Sequence, residues 1–80
     1  MTLHQRLHSA RIAQKLTLED VEKLSGGKIS DTHLYNLEAG ILRYASPPKL
    51  RAISKVLKIP FLELLVLAKH VTIRDLQGGL

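Results

Sequence analysis

The chain has 80 residues, a formal net charge of +5 and no cysteine. A chain this short forms one small domain with little room for a large substrate cavity, which disfavours an enzyme, and the missing thiols exclude a disulfide framework and a cysteine zinc site. Hydrophobic residues make up 45% but aromatic residues only 4%, so the core must come from Leu, Ile, Val and Ala, a composition that suits packed helices.

The opening MTLHQRLHSARIAQKL carries charge throughout and lacks the apolar centre of a secretory leader. Leu3, Leu7, Ala10 and Gln14 share one stripe at helical spacing, which predicts a first helix over 3–15 with Ile12 on its opposite face. Leu16 interrupts the pattern. Thr17, with Asp20 three residues later, then reads as a capping box opening a second helix over 18–25 that buries Leu18, Val21 and either Leu24 or Ser25. Gly26 and Gly27 accept positive φ without a Cβ clash, so they stop this helix and turn the chain.

Ser30 restarts order as the cap of a third helix over 31–39, which turns Leu34 and Leu37 inward and ends on Gly40. ILRYA forms an irregular connection, after which Ser46 caps a fourth helix with Pro47 and Pro48 in its first turn. That helix runs to Lys58 with Leu50, Ile53 and Leu57 inward. Pro60 opens a fifth over 61–71, and Thr72 starts a short sixth C-terminal turn through Leu76. The most apolar run, 59–68, is too short for a bilayer and contains Glu63, so the expectation is a soluble, cytoplasmic protein.

Charge is unevenly spread. No acid precedes Glu19, and none lies between Ala39 and Leu62, where Arg43, Lys49, Arg51, Lys55 and Lys58 fall. Such an excess points to a polyanionic partner.

The segments RIAQKLTLEDVEKL, ISDTHLYNLEAG and SPPKLRAISKVLKIPFLELL together resemble the helix-turn-helix domain of the phage repressor and Cro-like (Xre) regulators of bacteria and their phages. The resemblance covers about residues 3–68. It implies an all-α, lambda-repressor-like bundle of five short helices, with residues 1–71 as the DNA-binding domain and 72–80 as a tail contributing to dimerisation. It further implies a transcriptional regulator, expected to be a repressor, whose third helix enters the major groove with its N-terminal end foremost.

By position in the family motif, Asp31, Thr32 and Asn36 are the expected base-contacting residues. Asn36 can pair with adenine, Asp31 can accept from a cytosine amine, and Thr32 can offer a methyl or a hydroxyl. Expected contacts to the DNA backbone are Thr17, Lys28, Ser30, His33, Tyr35, Arg43, Tyr44 and Ser46, against the plainer reading of solvated side chains. Arg11 and Glu38 match a paired position, so the resemblance implies a structural salt bridge between them. Three departures stand out: Glu22 where the family usually has Ala, a turn through Gly26, Gly27 and Lys28 about two residues longer than the common form, and Leu18 where a phosphate-binding Gln is common.

The fifth helix is apolar nearly all round, so its outer side needs a cover. A homodimer through Leu62, Val66, Leu67, Val71, Ile73 and Leu76 would supply one and would imply a near-palindromic operator. The competing arrangement folds the tail from Thr72 back over that side. His4 and His8 have a metal-chelating spacing but no third ligand nearby, so no metal or cofactor is assigned, nor a small-molecule effector. No nucleophile elbow, P-loop or dinucleotide fingerprint occurs. The alternative function is an antitoxin or protein-interaction adaptor that keeps the fold without reading DNA.

Overall fold

A computed structural model describes residues 1–69, so the expectations for the tail, including Val71, Ile73 and Leu76, lie outside the described residues. Five helices follow in order: α1 (Leu3–Ala13), α2 (Leu18–Leu24), α3 (Asp31–Glu38), α4 (Pro47–Leu57) and α5 (Phe61–Leu67). Among the described residues there is no strand, and the all-α bundle is the one expected.

Each helix owes its start to a local device. Thr2 and Gln5 close a capping box on α1, and Thr17 and Asp20 close another on α2. Ser30 caps α3 by accepting the His33 N–H at 3.1 Å. Ser46 occupies the N-cap of α4, but its side chain makes no capping hydrogen bond. The Ser46 carbonyl does accept the Leu50 N–H at 3.0 Å, so only the backbone half of that expectation holds.

The first and fifth helices end before the sequence reading has them, while the fourth closes at Lys58 as expected. The first helix stops at Ala13 because Lys15 takes a left-handed φ of 57°, letting the Leu16 N–H reach the Arg11 carbonyl at 3.1 Å. Lys58 closes α4 in the same way, also at φ 57°, with the Ile59 N–H on the Ser54 carbonyl at 3.2 Å. A lysine there incurs the Cβ clash a glycine avoids, of about 1 kcal/mol, but sets a cation beside unpaired carbonyls. The fifth helix ends at Leu67, well short of residue 71, and Lys69 again has positive φ.

The core is aliphatic, as the composition required. Leu7, Val21, Ile29, Leu34, Leu37, Leu50, Ile53 and Leu64 are fully enclosed and draw on all five helices and the α2–α3 turn. Leu18 is only partly buried against this core, as are Phe61, Leu65 and Leu67. Leu67 therefore serves the chain's own interior as well as lying on the side expected to face a second subunit.

Helix α1 ties the bundle together through polar clips. The Arg11 guanidinium grips Glu38 at 2.8 and 2.9 Å and also donates to the Leu16 carbonyl at 2.8 Å. His8 Nδ1 lies 2.9 Å from the same carboxylate. Arg6 reaches Glu63 on α5 at 2.6 Å, and the Gln14 amide donates to the Leu57 carbonyl at the end of α4. Hydrogen bonding to Glu38 holds the Arg11 pKa above its ordinary value and outweighs the opposing effect of burial.

Two predictions follow from these contacts. The Arg11 and Glu38 side chains are only 12% and 6% exposed, so removing one strands the other. Arg11→Ala or Glu38→Ala should each cost ~3 kcal/mol in denaturant unfolding, whereas replacing both by Leu should cost far less. The Asp20 carboxylate is held below its ordinary pKa, first by the Thr17 backbone N–H at 2.8 Å. A lowered pKa adds stability above the unfolded-state value and loses it as pH falls through the folded-state value, so Asp20→Asn should flatten the acid limb of a pH–stability profile.

Candidate nucleic-acid interface

The second and third helices are joined by a turn in which the N–H groups of Ser25 through Ile29 all have acceptors. Ser25 faces inward because its hydroxyl is needed there: it donates to the Glu22 carbonyl at 2.8 Å and accepts the Ile29 N–H at 3.2 Å. Leu24, its alternative in the sequence reading, is consequently 63% exposed. Gly26 and Gly27 adopt φ of 68° and 80°, and the Gly27 N–H returns to the Glu22 carbonyl at 2.9 Å. Enclosed Ile29 then anchors the turn in the core.

Helix α3 is fastened at both ends and from behind. At its start the Glu22 carboxylate accepts the Asp31 N–H at 2.8 Å, and the Asp31 carboxylate accepts the Thr32 N–H at 2.6 Å. Residue 22, where the family usually has a small Ala, thus reaches across the lengthened turn as an external cap instead of colliding with α3. At the far end Glu38 is held by Arg11 and His8, and Gly40 leaves the helix at φ 77°. Leu34 and Leu37 are completely buried behind it.

The opposite side is open. Thr32 and Tyr35 are exposed, while Asp31 and Asn36 are half-buried. Thr32 and Asn36 are four residues apart and therefore share one face. The Asn36 carbonyl accepts the Ile41 and Leu42 N–H groups, both at 3.0 Å, which folds the departing loop back on the helix end. His33 differs from the expectation of an outward donor: its Nε2 is enclosed and has no hydrogen-bond partner.

Cations lie near both ends of this helix. Lys28 is exposed in the turn, and its carbonyl accepts from Lys49 Nζ at 3.3 Å, which brings Lys49 beside it. Arg43 and Tyr44 are exposed in the loop after α3. Lys49 was part of the cation-rich stretch, but its place beside Lys28 depends on a contact spanning 21 residues. Thr17 is exposed, with its oxygen accepting the Asp20 N–H at 3.0 Å. His4 and His8 are separately engaged, His4 near the Thr2 hydroxyl at 3.2 Å and His8 with Glu38.

Beside α5 lies an open cleft of about 770 Å³, walled by Leu3, His4, Leu42, Arg43, Val66 and Leu67 among others. Leu62 on the same helix is 49% exposed. Among the described residues, no helix is long and apolar enough to cross a membrane.

No curated protein and no solved structure gives a significant match to the chain. The sequence profile described as Helix-turn-helix, of the Xre and Cro-like type, matches residues 7–64, the stretch that runs from inside α1 into α5 and contains α2, α3, α4 and the segments between them. The chain belongs to this helix-turn-helix family of DNA-binding regulators.

Proposed function

We propose that the protein is a cytoplasmic, sequence-specific repressor that binds a near-palindromic operator as a homodimer, with α3 as its reading helix. One observation carries the reading: α3 is fixed at both ends and from behind, leaving Thr32, Tyr35 and Asn36 on its open side between exposed cations. A major groove admits one helix, and a helix already held in place spends less binding energy on ordering.

In this reading Asn36 pairs with an adenine edge, Thr32 meets a thymine methyl or a polar base atom, and Asp31 accepts from an amine. Lys28 and Arg43 neutralise phosphates on either side, with Lys49 added to them, and Tyr35, Tyr44, Thr17, Ser30 and Ser46 supply hydroxyl contacts. His33 can join them through its second ring nitrogen or after the ring turns over. The dimer contact runs through Leu62 and Val66, beside the open cleft, with Leu67 behind them and the tail residues Val71, Ile73 and Leu76 extending it. Two reading helices would then stand about one DNA turn apart.

Binding-site selection from a random duplex pool tests this directly. Asn36→Ala should lose about 1–3 kcal/mol of preference at one operator position. Arg43→Ala should weaken all sequences alike and reduce the salt slope by about one. If both variants lose affinity with preference unchanged, the division of roles is wrong. Sedimentation should give a dimer for the full chain and a monomer for Leu62→Glu, and a monomeric full chain would remove the dimer.

A further inference from the structure

Four N–H groups at the start of a helix ordinarily lack partners and suit a phosphate. In α3 those of the first three helical residues are occupied from within the chain. Asp31 donates to Glu22 at 2.8 Å, Thr32 to the Asp31 side chain at 2.6 Å and His33 to the Ser30 hydroxyl at 3.1 Å, after which the regular ladder begins with Leu34 on the Ser30 carbonyl at 2.9 Å. Two of those acceptors are carboxylates. Neither enters any ion pair among the described residues, where the acidic partners are Glu38 and Glu63.

We infer that Glu22 is a positioning residue for the reading helix. Its carboxylate takes the place of a DNA phosphate at the leading end of α3, and with Asp31 it makes that end an acceptor-only tip. The inference rests on the proposed DNA-reading role of α3 and deepens it.

Three consequences follow from charge and geometry. First, the hydrogen bond spans nine residues and joins α2 to α3, so it fixes the angle between the two helices before DNA arrives. A helix fixed by its own chain does not need a phosphate to set that angle. Second, negative charge on two adjacent carboxylates repels a phosphate from this end and moves backbone recognition to Lys28, Lys49 and Arg43 on the flanks. Third, ionised carboxylates only accept hydrogen bonds. In the major groove the donors they can meet are the exocyclic amines of cytosine and adenine, so the tip selects an amine-bearing base and rejects the all-acceptor edge of guanine.

The lengthened turn explains how a Glu can serve here. Gly26 and Gly27 turn the chain with positive φ, and the Glu22 side chain bridges that turn to the Asp31 N–H.

The test uses the full chain with Glu22→Gln, Glu22→Ala and Asp31→Asn, measuring base preference by site selection, affinity against salt, and the Asp31 amide proton shift by NMR. Gln keeps the accepting oxygen but loses the charge. Glu22→Gln should therefore preserve base preference and raise affinity about threefold in low salt. Glu22→Ala should move the Asp31 amide proton upfield and lower the discrimination between operator and random duplex about tenfold, a loss that Glu22→Gln does not share. Asp31→Asn, which adds a donor, should admit guanine at the position read by the tip.

Discrimination by Glu22→Ala equal to that of the unaltered chain would overturn the positioning role. Affinity of Glu22→Gln at or below that of the unaltered chain in low salt would overturn the phosphate exclusion. A folding defect in Glu22→Ala leaves Glu22→Gln and Asp31→Asn to decide the question. If the unaltered chain itself selects no sequence, the DNA-reading role fails and not this refinement of it.

Discussion

The Arg11–Glu38 contact fixes the C-terminal end of α3 against α1. Glu38 is the last residue of an eight-residue helix, too short to persist alone in water, so its position must come from tertiary contacts. Arg11 supplies one by gripping the carboxylate with two nitrogens, while a third holds the Leu16 carbonyl. The same guanidinium thus fixes the end of α3 and the approach to α2. His8 adds a third donor to Glu38, which is why the pair is better described as a cluster.

At the opposite end of α3, Glu22 performs the matching task. The helix is suspended between an arginine on α1 and a glutamate on α2, with Leu34 and Leu37 pressed into the aliphatic core between them. Three constraints at separate points leave a rigid rod almost no freedom to tilt, slide or rotate. Reading base edges demands that rigidity, because a bidentate hydrogen bond discriminates only when its donor and acceptor arrive in register.

Much of this was legible because its causes are local. The caps at Thr17 and Ser30, the turn at Gly26 and Gly27, and the inward pair Leu34 and Leu37 each follow from residues within a few positions of one another. What sequence could not disclose depends on distant partners. The Arg6–Glu63 and Gln14–Leu57 contacts span 57 and 43 residues, and the Glu22 cap requires knowing how far the turn carries the chain. The left-handed conformations of Lys15 and Lys58 were hidden for another reason: lysine is an ordinary helix former, and nothing local marks it for positive φ. Of Leu24 and Ser25, the polar residue turns inward because a hydrogen-bond requirement outweighs apolar burial at that point.

The helix N-termini then constrain how a domain of this kind can hold DNA. The first three N–H groups of α3 meet acceptors of its own chain, α2 opens on Glu19 and Asp20, and α4 begins with two prolines that have no N–H to offer. In the proposed reading, cationic side chains therefore supply most of the attraction to phosphate. Their placement accords with that demand: Lys28 and Lys49 meet at the turn, and Arg43 stands beyond the other end of α3. Attraction between charged side chains and phosphates is long-range and indifferent to sequence, whereas base edges are read only by groups held in place. In the proposed reading affinity and specificity therefore fall to different residues, so that changes at Asp31, Thr32 and Asn36 would alter the operator without loosening the hold on the duplex.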